Sequence, residues 1–276
     1  MNHIIQETTG ELKTIAKKRL KGYWRPMVIS MIILSVLVDI VPQILVTLSP
    51  DSLILEYEGI KVSYMANMYD FFTTGAFAAG MCSLMLVFFR ERDTHPGHLF
   101  NGYGYYFKSF SLMIIKGVYI FLWSLLFIVP GIIAAFNYSQ AYYILADHPE
   151  KSVFQCIRES KAIMAGNKAR YFIMLLSFIG YYFLLALVQS ALLQMGFSGL
   201  VINLVAIIPA AALAAYVGTT ETVFFELLIG NLKGRTMEEA QFNGIPEEVR
   251  QEERYNSDGE MSFNQNPSTE EHKTEE

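Results

Sequence analysis

Long stretches almost without charge constrain this chain more than any other feature. A helix crossing the roughly 30 Å hydrocarbon core of a bilayer needs about 20 apolar residues. Six stretches approach that length: 27–48, 69–89, 111–129, 131–146, 171–195 and 200–220. The fifth and sixth contain no charged residue, and the second carries only Asp70 at its edge. Inside lipid every backbone polar group must be satisfied within the protein, which leaves helices or closed barrels. Uninterrupted runs of this length, without strict alternation, predict an all-α polytopic transmembrane bundle of about six spans. The first run begins only near Met27, after more than twenty polar and basic residues, and has no small-residue cleavage site, so it reads as a retained span.

The fourth stretch is the short one, since 16 residues rising about 1.5 Å each reach only about 24 Å. Val129-Pro130-Gly131 offers two readings: a tight hairpin between spans three and four, or one long kinked helix. Lysine and arginine arbitrate through their preference for the cytoplasmic side. Six spans with a cytoplasmic N-terminus place 19 of the 21 basic residues inside, with Lys61 outside and Lys116 within a span. One span fewer would put the cluster from Lys151 to Arg170 outside. The hairpin and six spans are therefore expected, with both termini in the cytoplasm.

Charge also divides the chain lengthwise. From Glu238 to the end stand 12 acidic and 3 basic residues, leaving 14 acidic and 18 basic before them. The expected organisation is a basic amphipathic cytoplasmic helix over 1–25, a six-span domain over 26–230 with a further cytoplasmic helix at 150–166, and an acidic, disordered cytoplasmic tail over 231–276. Thr8 with Glu11, and Ser152 with Gln155, have the spacing of capping boxes at the starts of the two cytoplasmic helices. Leu12, Ile15, Ala16, Leu20 and Tyr23 recur at helical intervals among basic residues, a pattern that suits a helix lying in a membrane surface. Gly166-Asn167 marks the expected stop of the second helix.

Few residues suggest chemistry. Asp39 lies within the first span near Pro42 and Gln43, and ionisable groups at such positions are costly and often functional. The competing reading points Asp39 into the outer interface. Asn137, Gln140 and Asn203 join it as candidate substrate-binding residues, beside Ser139 and Gln189, although hydrogen bonds between helices also account for them. Lys13, Lys17, Lys18, Lys21, Arg158, Lys168 and Arg170 are candidates for contact with anionic lipid headgroups. Lys116 is expected to snorkel toward the inner interface. Glu221 and Glu226, five apart, do not share a helical face, so a paired-carboxylate site is not expected. His95 and His98 with Asp93 make a poor metal set, and Cys82 and Cys156 are expected as free thiols. No cofactor motif and no nucleic-acid-binding pattern is present.

Pro130-Gly131-Ile132-Ile133, Tyr138-Ser139 and Tyr143-Ile144-Leu145-Ala146-Asp147 resemble a bacterial family of integral membrane proteins, the domain of unknown function 975. Glu159-Ser160, Met164, Gly166-Asn167-Lys168, Arg170 and Phe172 continue the likeness, as do Leu20-Lys21-Gly22-Tyr23-Trp24 and Phe224-Phe225-Glu226-Leu227. The resemblance implies a multi-span protein of the bacterial cytoplasmic membrane and supplies no activity. From the residues themselves the leading expectation is a non-enzymatic membrane protein that organises or regulates partners or senses lipid, touching the bilayer, its anionic headgroups and a membrane or cytoplasmic protein partner. A small-solute transporter or permease is the alternative. A lipid-acting enzyme, for which Glu159, Lys161 and Glu226 would have to converge, has less support.

Overall fold

The computed structural model describes residues 4–50, 53–57 and 60–232, and all structural statements concern these. The expected acidic tail lies outside them apart from its first two residues. The chain forms twelve α-helices in the order α1 (Thr9–Leu20), α2 (Trp24–Ser35), α3 (Val41–Leu48), α4 (Tyr64–Glu91), α5 (Asn101–Gly104) and α6 (Tyr106–Leu126), then α7 (Ile128–Asn137), α8 (Ala141–Asp147), α9 (Val153–Ile163), α10 (Lys168–Leu176), α11 (Ile179–Gln194) and α12 (Gly199–Leu228). Five helical stretches are long and apolar enough to cross a membrane: Trp24–Leu48, Tyr64–Glu91, Tyr106–Leu126, Lys168–Gln194 and Leu204–Leu228. The expected fourth span is present as two short helices, α7 and α8. A two-stranded antiparallel hairpin, β1 (Ile54–Tyr57) and β2 (Ile60–Ser63), joins α3 to α4 with Ile54 opposite Ser63.

The three prolines of the apolar runs act differently. Pro42 has no N–H to give the Val38 carbonyl, and its ring crowds that oxygen. The helix responds by widening into a π-helical turn over Val36–Ile40, in which the Val41 N–H bonds the Val36 carbonyl. Pro209 sits inside the continuous α12, so no break occurs there. Pro130 occupies the first turn of α7, where its missing N–H costs little. The reversal between α6 and α7 falls earlier, at the extended Phe127. Gly131 serves the hairpin in another way: a Cβ there would overlap the Ser124 side chain, so glycine lets the two arms touch.

The path from α4 to α6 departs from a simple up-and-down order. A Cβ on Gly75 would lie 2.9 Å from the Ser109 carbonyl oxygen, which places the start of α6 beside the middle of α4. That is 16 residues, about 24 Å, back from Glu91 at the end of α4. The intervening segment runs back along α4, with Gly80 against the Leu99 carbonyl and Gly102 against the Ala76 carbonyl, each too close for any side chain. The base of α6 also meets the far end of the hairpin, where the Lys108 ammonium donates to the Pro149 and Glu150 carbonyls.

Both capping boxes form as the spacing predicts. The apolar face of α1 is not turned to lipid, however. Leu12, Ala16 and Leu20 are fully buried in the protein, with α12 and α10 as neighbours. Arg170 donates to the Gln6 and Glu7 carbonyls at 2.9 and 2.7 Å, and Asn167 Oδ1 accepts the Ile5 N–H at 2.9 Å. These bonds tie the chain ahead of α1 to the start of α10. Arg92, in a left-handed conformation past the end of α4, donates to the Arg19 carbonyl and fixes the other end of α1.

Candidate functional site: a helix break and the pocket beside it

The sequence Tyr138-Ser139-Gln140 interrupts the helix between α7 and α8, leaving backbone groups without ladder partners. A serine from α9 satisfies two of them. The Ser160 hydroxyl donates to the Asn137 carbonyl at 2.7 Å and accepts the Gln140 N–H at 3.2 Å. The capped start of α9 fixes its axis, and burial of Cys156, Ile157 and Ser160 on one face presses that face into the break. Ser139 donates to the Phe136 carbonyl at 3.0 Å and accepts from the Gln140 amide at 3.1 Å. Asn137 Oδ1 and Gln140 Oε1 remain buried without a protein partner.

Next to the break stands a carboxylate in apolar surroundings. The Tyr171 hydroxyl donates to Glu221 Oε1 at 2.8 Å. Tyr171 is held edge-on to Phe136 at 5.9 Å and against Phe224 at 5.2 Å, ring centre to ring centre. Glu221 borders a cavity of about 480 Å³ whose other walls include Phe136, Phe172, Phe178, Tyr182 and Val217. The Lys116 ammonium lies 5.3 Å from the centre of the Tyr142 ring.

A second centre surrounds Asp39. The π-helical turn carries it onto a surface shared by two clefts. One, of about 410 Å³, is lined by Ser35, Asp39 and Gln189 with Ala206 and Ala210. The other, of about 280 Å³, adds Asp70, Thr73 and Thr74 of α4. Tyr69 donates to the Leu37 carbonyl at 2.8 Å and pins α4 to this turn.

The family model described as a protein of unknown function (DUF975) matches residues 1–137 and 126–231. The chain belongs to that family. No curated protein and no solved structure matches this DUF975 protein.

The expected site residues divide among these centres. Asn137 and Gln140 meet at the helix break, whereas Asp39 lies at the separate clefts with Gln189. Asn203 belongs to α12, and its side chain is outside the described residues. Of the candidate headgroup ligands, Lys17, Lys18, Lys21 and Arg158 are exposed, and Lys168 is half-buried. Arg170 is spent on carbonyls, as above. Lys13 donates to the Ser177 carbonyl at 3.0 Å and lies 4.0 Å above the Phe178 ring. Burial holds its ammonium below the usual lysine range.

Glu221 and Tyr171 were not singled out as binding residues. Glu221 stands at the end of an apolar run, where a solvated carboxylate is the ordinary expectation, and Tyr171 reads only as an interfacial aromatic. Their juxtaposition depends on α10 packing against α12, which no local pattern reports.

Glu226 has a structural partner, so Glu221 and Glu226 do serve different neighbours. Arg90 binds Asp147 through both terminal nitrogens, at 2.5 and 3.1 Å, and Glu226 through Nε at 2.7 Å. This clamp joins α4, α8 and α12. Glu159 pairs with Lys151 at 2.7 Å, and Lys161 is exposed, so the three residues an inner-face enzyme would need do not converge. Asp93 accepts from the His95 N–H and pairs with the His98 ring, contacts that hold its carboxyl below the usual range. Both cysteines are free thiols. Burial, with Glu159 nearby, pushes Cys156 up to about 11, which keeps it protonated and unreactive.

Proposed function

We propose that this DUF975 protein is a non-enzymatic, multi-pass protein of the bacterial cytoplasmic membrane, with both termini cytoplasmic, that senses anionic lipid and organises or regulates partners at the inner face. One observation supports the reading above others. Because α1 spends its apolar face on the bundle, Lys17, Lys18 and Lys21 are exposed on its free side. A helix that merely floated in the interface would bury apolar residues in lipid. Here the helix is locked to the membrane domain, and its lysines are presented in a fixed place. Each basic residue near an anionic surface contributes about 1 kcal/mol, and such attraction weakens with salt.

The test is to place the full chain in nanodiscs of phosphatidylcholine with rising fractions of phosphatidylglycerol and to follow its thermal midpoint. Wild type should gain stability with the anionic fraction, and salt should erase the gain. A variant carrying Lys17→Glu, Lys18→Glu and Lys21→Glu should lose most of it. An equal gain in that variant would sink the proposal.

A small-solute permease is the second reading. It is favoured by the cleft that Asp39 and Gln189 both line, with walls from the first span, α11 and α12. Uptake by proteoliposomes that survives Asp39→Asn together with Gln189→Leu would count against a path through that cleft.

A further inference from the structure

The cavity beside Glu221 has a chemistry that neither lipid sensing nor solute passage at Asp39 uses. Four aromatic side chains, Phe136, Phe172, Phe178 and Tyr182, contribute to its walls, and one carboxylate stands at its edge. Its volume of about 480 Å³ lies within the range of small-molecule sites. Among the described residues Glu221 forms no ion pair and receives only the Tyr171 hydroxyl, whereas Glu226, one and a half turns on, is paired with Arg90. The tyrosine fixes the direction of the carboxylate without supplying a charge. Lys116 lies above the Tyr142 ring and forms no ion pair with Glu221.

A carboxylate that ionises within apolar walls selects its ligand by sign. An acyl chain would fill the aromatic space and leave the carboxylate without a counter-charge. An anionic amphiphile would be repelled. A cation whose charge is spread over an apolar body satisfies both parts, since aromatic faces attract cations by their quadrupoles, most strongly where water is excluded. The protein already uses this chemistry beside the cavity, where the Lys13 ammonium lies 4.0 Å above the buried Phe178 ring.

We propose that the cavity between α7, α10, α11 and α12 is a binding site for lipophilic organic cations, with Glu221 as the counter-charge and Tyr171 as its positioning residue. This rests on the cavity alone and stands or falls separately from the lipid reading.

The experiment uses the full-length protein in phosphatidylcholine nanodiscs, with radiolabelled tetraphenylphosphonium as the ligand and empty nanodiscs to subtract partition into lipid. Binding should saturate at one site per chain, and tetraphenylborate, of the same shape and opposite charge, should not compete. Glu221→Gln should weaken binding at least tenfold, and Tyr171→Phe a few-fold, with thermal midpoints showing that both variants are folded. If Glu221→Gln fails to fold, Ala214→Phe, which fills the cavity and leaves the carboxylate in place, should abolish saturable binding. Non-saturable uptake, competition by tetraphenylborate equal to that by unlabelled ligand, or undiminished affinity in Glu221→Gln or Ala214→Phe would each overturn the assignment.

Discussion

The two halves of α4 and α12 are built on different terms. In the first half of each helix large apolar side chains stand exposed, among them Met68, Phe71 and Phe72 of α4 and Leu204, Val205 and Ile208 of α12. In the second half almost everything is buried, from Ala76 to Phe89 in α4 and from Val223 to Leu228 in α12. Composition does not separate the halves, since both are apolar. What differs is the close approach of other backbone and a charged clamp. Gly75 and Gly80 admit other backbone to α4, and a Cβ on Gly218 would crowd Met85. Thr219, Thr220 and Thr222 return their hydroxyls to carbonyls one turn back, and Arg90 draws three helices together. In lipid an exposed leucine costs nothing, so helices associate by close packing and hydrogen bonds rather than by hiding apolar surface. Thr73 and Thr74 of the exposed half return their hydroxyls in the same way, and Tyr69 holds the Leu37 carbonyl, so what sets the packed half apart is the backbone brought close from Gly75 onward and the charged clamp.

Substitutions can break this contrast, and the largest effect is expected at the clamp. Arg90→Met would leave Asp147 and Glu226 facing each other without a cation. Glu226 is 1% exposed and Asp147 15%. Stranding buried charge costs about 3–5 kcal/mol, discounted to about 3 because Arg90 itself is a quarter exposed. The thermal midpoint of the detergent-solubilised protein should fall by more than for any single change in the exposed half, and partial recovery in Arg90→Met with Glu226→Gln would sharpen the assignment.

Gly80→Ala comes next. The new methyl would meet the Leu99 backbone, which is not free to swing aside as a side chain is, and overpacking of this kind costs about 2–3 kcal/mol. Gly117, which has open space around it, is the control: Gly117→Ala should be neutral or stabilising by a few tenths of a kcal/mol. Equal loss in both would mean that the segment before α6 does not lie against α4.

Ser160→Ala should cost about 1–2 kcal/mol by leaving the Gln140 N–H and the Asn137 carbonyl without their partner. Amide exchange at residues 138–141 should rise while that of α12 stays unchanged. Smallest of all, Phe127→Ala at the 72% exposed tip of the hairpin should shift stability by less than about 0.5 kcal/mol in detergent. A loss comparable with that at Arg90 would show that the tip is packed against something and would erase the contrast.

The resemblance to DUF975 rested on residues that turn out to have separate structural tasks. Gly131 lets the hairpin arms touch, Asp147 completes the clamp, Ser160 fills the helix break, and Asn167 and Arg170 hold the chain before α1. None could be assigned its task from the sequence, because each partner lies on another element. Ser160 and Asn137 are 23 residues apart, and Asn167 and Ile5 are 162 apart.

Local chemistry by itself determined the helical class, the long apolar spans, both capping boxes, the stop at Gly166 and the reversal near Pro130. These follow from the period of the helix, the length of the runs and the side-chain bonds available within one turn. Asp39 was also legible, as a charge within an apolar run. Tertiary structure alone decided that α6 begins beside the middle of α4, that α1 turns its apolar face to protein, and that Glu221 and Tyr171 meet beside an aromatic cavity. An apolar pattern says that a face must avoid water; it does not say whether lipid or protein will cover it, because the two are equally apolar.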